Sequence, residues 1–253
     1  MHPLLITGFH RSGTSAVART LHAAGLHLGD ELLGAEPANP YGHYEDIGVV
    51  ALHDEALAAQ GLTWKSTTGP IRPIDSAANV KIRRLVSERS RTDAPWGVKD
   101  PRLCLFLSEW LEAEPRSAVV VVIRRPDEVI QSLHRRHTRR SVDTRRRDAS
   151  DLDFWRTPDL GLRLWIHYYE RLLAALPPDD QVLFVDYSDR DQVDRIVDVI
   201  ATRWHLPLTT EDVPALDPRL GAPSVKPVEV RDRALLVEAT TLWTELRARI
   251  DTW

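Results

Sequence analysis

Apolar residues in this chain follow two rhythms: short unbroken runs, and longer stretches that repeat every three to four positions. Residues 3–7 (PLLIT) form a run too brief for a helix and halted by Gly8, which predicts a buried first strand. Residues 14–26 place Val17, Leu21 and Ala24 at helical spacing, with Thr14 or its neighbour as the cap. A segment rich in Pro, Gly and Asn, 35–44, leads into a second helix starting near Glu45 and carrying Val49, Leu52, Ala56 and Ala59 on one face. Residues 96–98 predict a short strand ending at Lys99-Asp100-Pro101, and 102–112 (RLCLFLSEWLE) a densely apolar helix. The clearest strand is 117–123 (SAVVVVI): β-branched and without polar alternation, it suits the centre of a parallel sheet covered on both faces. Pro126 fits the first turn of a helix running to about Arg136. After a basic, aperiodic stretch at 139–150 come a helix at 158–176, a strand at 181–186 (QVLFVD) and a helix at 192–204. An irregular Pro-rich tail at 207–228 precedes a last helix, roughly 231–250.

Strands alternating with helices, without an internal repeat or a linker, predict one α/β domain over residues 1–253, built on a parallel sheet. A chain of 253 residues is long enough to bury a substantial core, and 43% hydrophobic with 28% charged residues excludes disordered, collagenous and coiled-coil classes. The net charge of −4 does not draw the protein to nucleic acid or anionic membrane by bulk attraction, so any anion site must be local. A single cysteine, Cys104, rules out an intramolecular disulfide and a Cys-rich zinc site, and fits a reducing, cytoplasmic setting. The longest wholly apolar run, 118–123, falls far short of the roughly 18 residues of a membrane helix, and MHPLLITGFH lacks the features of a secretory signal. Only four basic residues are lysines: Lys65, Lys81, Lys99 and Lys226.

The candidate chemistry is concentrated after the first strand. Gly8-Phe9-His10-Arg11-Ser12-Gly13-Thr14-Ser15 has the spacing of a phosphate-binding loop, G-x-x-x-x-G-K-[ST], with Thr14 in the place of the lysine. Tight glycine turns and successive backbone N–H groups at a helix start still form a concave anion site, and Arg11 offers a cation at another point around it. The predicted ligand is a phosphate-like anion that need not be a triphosphate.

These residues resemble the sulfotransferases that use 3′-phosphoadenosine 5′-phosphosulfate (PAPS). Their 5′-phosphosulfate loop reads [KR]-[ST]-G-T-[ST] after a first strand, and Arg11-Ser12-Gly13-Thr14-Ser15 matches it. Their 3′-phosphate element places an arginine at a strand end and a serine eight residues later, a spacing met by Arg124 and Ser132. Lys99-Asp100-Pro101 looks like the Lys-Asp-Pro of protein-tyrosine sulfotransferases and many bacterial relatives, where the lysine lies beside the transferring group. Tyr187, just after the strand 182–185, is similar to a tyrosine on the adenine side, and Lys226 to a late lysine that closes over the nucleotide's phosphate. In Asn39-Pro40-Tyr41-Gly42-His43-Tyr44-Glu45-Asp46, Glu45 resembles the base of tyrosine and heparan sulfotransferases. His43 is the rival base, since the aryl and steroid branch uses a histidine located elsewhere in the chain. Apart from the resemblance, Glu45 and Asp46 would complement a helix dipole and His43 would face solvent.

The resemblance implies a P-loop-type α/β fold, PAPS as donor with PAP (3′-phosphoadenosine 5′-phosphate) as product, and no metal. It implies in-line transfer of a sulfuryl group to a hydroxyl or amine of a small-molecule or carbohydrate acceptor, with Arg11, Lys99 and the loop N–H groups stabilising charge. Two other functions stay open. One is a small-molecule kinase with an atypical phosphate loop, for which Asp186 would be the strand-end magnesium ligand. The other is a nucleotide- or RNA-binding protein using residues 134–147 (HRRHTRRSVDTRRR), whose seven arginines read first as a solvated loop and next as a lid over an anionic acceptor. Trp165, Tyr168, Tyr169 and Leu172 on the long helix read as core or pocket lining, and His10, His43 and His53 have no metal-ligand spacing. Neither a nucleic-acid partner nor a membrane span is expected, and a homo-oligomer is compatible with the chain.

Overall fold

The computed structural model describes residues 3–36, 39–66, 71–142, 152–157, 159–211, 213–215, 217 and 229–250. Lys226 and residues 143–147 of the arginine-rich stretch lie outside the described residues.

Four strands, β1 (Leu4–Thr7), β2 (Gly97–Lys99), β3 (Ala118–Ile123) and β4 (Val182–Asp186), form a sheet of order β2-β1-β3-β4. All pairings are parallel, with Ile6 opposite Lys99 on one side and Val120 on the other. Every strand residue is buried because helices cover both faces. Leu4, Ile6, Val120 and Val122 point to a layer holding α1 (Thr14–Ala23) and α8 (Arg190–Trp204). Leu5, Val119 and Val121 point to a larger layer with α2 (Ile47–Ala58), α4 (Leu103–Ala113), α7 (Leu160–Ala175) and the C-terminal α9 (Arg233–Ala248). Each aliphatic side chain buried in β3 contributes roughly 1.5–3 kcal/mol relative to exposure. Among the described residues, no helix is long and apolar enough to cross a membrane.

Parallel strands end on the same edge, so the loop after β1, Lys99 at the end of β2, Arg124 after β3 and Tyr187 after β4 converge there. The chain leaves β1 for β2 on one side and then crosses to β3 on the other, which puts the topological switch at β1–β3.

Several expected boundaries move. The second helix begins at Ile47, capped by Asp46, whose carboxylate accepts the Val49 N–H at 3.1 Å; Glu45 is left outside it. Helix α1 is capped by Gly13, the neighbour of Thr14, without a side-chain hydrogen bond. Helix α3 (Ser76–Arg89) has no counterpart in the hydrophobic pattern because only Ile82 and Val86 are buried on it. Helix α5 (Pro126–Val142) continues well past Arg136, into what reads as a solvated basic loop. Its buried face there is carried by histidine: His137 packs 4.5 Å from Phe154, on the short helix α6 (Asp153–Arg156), and His134 lies 6.2 Å from the same ring.

Candidate functional site

The loop between β1 and α1 is shaped by its backbone. Gly8, at φ +144°, lies so close to the Val122 carbonyl that a Cβ would overlap it. Arg11 adopts a left-handed φ of 70°, unusual for a residue with a side chain, and Gly13 follows at φ +95°. A Cβ on Gly13 would enter the ring of Tyr187, so this glycine is what lets the helix start come down against β4. The Ser12 N–H donates to the Phe9 carbonyl at 3.1 Å. Beneath the loop, the Tyr169 hydroxyl of α7 donates to the Val122 carbonyl (3.0 Å), accepts the Phe9 N–H (3.4 Å) and meets Ser12 Oγ at 3.2 Å. Burial pushes the Tyr169 phenol well above its ordinary range, so it keeps the proton it donates. Read from sequence as one of a packed aromatic group, Tyr169 is a strut of the loop; only its distant partners reveal that.

Cations gather around this loop. Arg11 Nε donates to Ser132 Oγ at 3.0 Å, joining the first loop to α5 across 121 residues of sequence. Arg124 donates to the Arg11 carbonyl (3.4 Å) and to Glu128 (2.8 Å), and its guanidinium stands 5.5 Å from the centre of the Tyr187 ring. Burial, then the neighbouring Arg136, Arg124 and Arg135, lower the Arg11 pKa to about 10. Guanidiniums crowded enough to oppose one another's charge make a site that favours an anion. Arg11, Gly13, Thr14, Ser15, Arg124, Ser132 and Tyr187 line one cavity. Ser12 turns its hydroxyl away, to Tyr169. The cavity also takes Arg19, Asn39, Tyr41 and Arg135, to which the motifs gave no role in holding a nucleotide. Arg19 could have been found from its place one turn beyond Ser15 on α1; it stacks 4.1 Å over Tyr41, and Asn39 donates to Ser15 Oγ at 3.2 Å.

At the inner end, Lys99 is 1% exposed and its Nζ donates to Ser15 Oγ (3.1 Å), the His43 carbonyl (3.0 Å) and Glu45 Oε1 (2.5 Å). Glu45, also buried, sits in a segment held by hydrogen bonds from Leu33 N–H to the Glu45 carbonyl (2.8 Å) and from His43 N–H to the Leu33 carbonyl (3.1 Å). Arg89 of α3 anchors the same segment through Asp46, at 2.6 Å. His43 does not face solvent: its side chain is 13% exposed, and Nδ1 lies 3.9 Å from Glu45 Oε1. Burial, then Lys99, Arg136 and other cations, lower its pKa to about 3, so the ring is neutral.

Asp100, fully buried, accepts from the Arg102 backbone N–H (2.7 Å), from Arg102 Nη1 (3.0 Å) and from His53 Nδ1 (3.0 Å). His53 Nε2 accepts the Trp110 N–H at 2.9 Å, which fixes the tautomer with the proton on Nδ1. Burial alone would raise the Asp100 carboxyl, but Arg102 and His53 hold it well below the usual carboxylate range. Asp100 thus holds both the Arg102 guanidinium and the His53 ring. Asp186 accepts the Ser188 N–H at 2.9 Å within its own turn. Beyond Lys99 and Glu45 a second cavity, of about 470 Å³, opens between His10, His43, Glu45, Trp64, Arg102 and Arg136.

The fold is similar to that of solved sulfotransferases. The sulfotransferase domain of the olefin synthase from Synechococcus PCC 7002 is 16% identical, with 100% of this chain and 96% of that one covered at a TM-score of 0.52. For sulfotransferase STF9 from Mycobacterium avium the identity is 15%, the coverage 100% and 77%, and the TM-score 0.56. The sulfotransferase domain of the curacin biosynthetic pathway gives 12% identity, 97% coverage of each chain and a TM-score of 0.52. No curated protein sequence matches the chain. Residues 3–199 match the profile of the sulfotransferase family, a span that runs from β1 into α8 and takes in every strand, and the chain belongs to that family.

Proposed function

We propose that the protein transfers the sulfuryl group of PAPS to a hydroxyl or amine of an acceptor held in the second cavity, releasing PAP. The observation that carries this reading is the hydrogen bond from Arg11 to Ser132, which brings the loop motif and the strand-end motif to one cation-lined cavity. The residues fit the nucleotide: a glycine cradle that a Cβ would fill, and an arginine whose pKa is lowered by other arginines, both favour an anionic ligand. The N–H groups at the start of α1, with Arg11, would hold the 5′ end, and Arg124 with Ser132 the 3′-phosphate. Tyr187 packs beneath Gly13 at the side of the cavity, and Lys226 is proposed to close over it.

PAPS supplies an activated sulfuryl group bonded to a phosphate oxygen that leaves with the electron pair. Lys99, which links Ser15 of the first cavity to Glu45 of the second, would stabilise that leaving charge. Glu45 takes the acceptor's proton as the acceptor oxygen bonds to sulfur. Protonation neutralises Glu45 and frees a Lys99 N–H for the leaving oxygen, so proton removal and charge stabilisation are coupled through one 2.5 Å contact. His43 is the weaker candidate: only its main-chain carbonyl meets Lys99, so its ring lacks the coupling that the Glu45 carboxylate has.

The test is a thermal-shift titration with PAP in EDTA, set against ATP with magnesium. At a hundred times its dissociation constant, a ligand stabilises the folded state by about 2.7 kcal/mol. A shift with PAP is expected; a shift with magnesium-ATP and none with PAP overturns the reading in favour of a kinase.

A further inference from the structure

Building on the donor reading above, we propose that the second cavity accepts a neutral, polyhydroxylated ring, a sugar or cyclitol, laid against Trp64. The cavity, at about 470 Å³, is of a size that holds a small ring compound. One wall is aromatic. The Trp64 ring lies 4.5 Å from His10 and is stacked on His137 at 6.0 Å, with Phe154 behind at 6.2 Å. The opposite wall is ionic, yet each cation there already faces a carboxylate. Arg136 reaches Glu36 at 3.5 Å, Arg102 reaches Asp100 at 3.0 Å and Asp54 at 3.2 Å, and Lys99 holds Glu45. A carboxylate beside each cation weakens the pull of this wall on an anionic ligand, although Arg136 still acts on Arg11 and His43. The wall presents guanidinium N–H donors beside carboxylate acceptors, a pattern that hydroxyl groups satisfy because each both donates and accepts.

The two histidines on this cavity add to the same demand. Burial and the cations Arg102, Arg136 and Lys99 keep His10 neutral, and its Nε2 is buried without a hydrogen-bond partner. His43 is neutral as well. A long-chain alcohol or a bare phenol would exclude water from these groups without replacing its hydrogen bonds, and sites built to bond a hydroxyl reject analogues that lack one. A hydroxylated ring has an apolar C–H face for the indole and a polar rim for the ion pairs. Glu45 and His43 belong to this cavity and also contact or flank Lys99, so a hydroxyl seated there is delivered to the reacting end.

The test assays PAP release by the full chain from PAPS with methyl hexosides, myo-inositol, p-nitrophenol and 1-octanol as acceptors. Binding of the hexosides and inositol to the PAP-loaded protein is followed in parallel by saturation-transfer NMR. A hexoside or inositol is expected to react at least about tenfold faster than p-nitrophenol or octanol. Trp64→Ala should raise the KM of that acceptor about tenfold or more, equivalent to 1.4 kcal/mol, while the PAPS KM and the PAP melting shift stay as in the parent. Trp64→Phe should restore most of the affinity. Preference for p-nitrophenol or octanol, an acceptor KM unmoved by Trp64→Ala, or neither binding nor turnover of any hexoside or inositol overturns the proposal. If PAP still shifts the melting temperature in that last case, the acceptor assignment has failed alone; if it does not, the donor reading has failed with it.

Discussion

The two cavities that meet at Lys99 are held in different ways. Around residues 8–15 the backbone does the positioning: Gly8 against the Val122 carbonyl, Arg11 and Gly13 at positive φ, and the Tyr169 hydroxyl tying Phe9 and Ser12 to β3. Across Lys99 the shape depends on pairs of side chains, Arg136 with Glu36 and Arg102 with Asp54 and Asp100, that arise from loops, the start of α4, the middle of α2 and the outer part of α5. A backbone nest anchored to a central strand cannot be altered at one residue without moving the sheet. A partly exposed pair such as Arg136–Glu36 can be replaced side chain by side chain, whereas the buried Arg102–Asp100 pair cannot lose one partner without a large cost. The first cavity is thus built for one kind of ligand, while the second can change its specificity at its Arg136–Glu36 edge.

Substitutions separate the two halves. The largest effect is expected from Glu45→Gln, which should lower kcat roughly 10²–10⁴-fold while PAP binds as before, since the carboxylate lies on the far side of Lys99 from the nucleotide. Initial rates together with a PAP titration decide this; full turnover would remove Glu45 as the base and send the search to His43→Ala. On the other side, Arg124→Ala should weaken PAP roughly 10–100-fold, the worth of one charged hydrogen bond, and leave the acceptor KM nearly unchanged. Equal damage to both constants would mean that the cavities are not separate.

Tyr169→Phe sharpens the comparison from beneath the loop. Removing one hydroxyl that serves three partners should cost about 1–2 kcal/mol of stability and lower Tm by several degrees, with a few-fold loss of PAP affinity. Unaltered melting would show that the loop holds its shape without the strut. The smallest effect concerns acid stability. His43 has a folded pKa of about 3 against an ordinary value near 6.5, so below that ordinary value the unfolded chain takes up its proton first. Stability is fully present above about pH 6.5 and declines as pH falls toward 3. His43→Asn should flatten part of that decline in urea melts between pH 7 and 4.5, and His10 contributes in the same direction.

Much of this was legible in the chain. The runs at 3–7, 117–123 and 181–186 announced strands, and 117–123 a central parallel one because residues covered on both faces show no polar alternation. The loop was legible because its shape is made by backbone and glycine, which a local motif encodes directly. Helix α3 was hidden by a buried stripe of only Ile82 and Val86, and the far half of α5 by an inner face made of the half-buried His134 and the buried His137 in place of aliphatic residues.

Local sequence by itself determined the strand–loop–helix order, the phosphate-type loop at 8–15 and the spacing of Arg124 to Ser132, because each depends on neighbours a few residues apart. Tertiary structure alone decided that Arg11 bonds Ser132, that Tyr169 supports the loop, and that Lys99 stands between Ser15 and Glu45. Those contacts join residues from 54 to 157 positions apart, and their strength comes from burial, which no local spacing records.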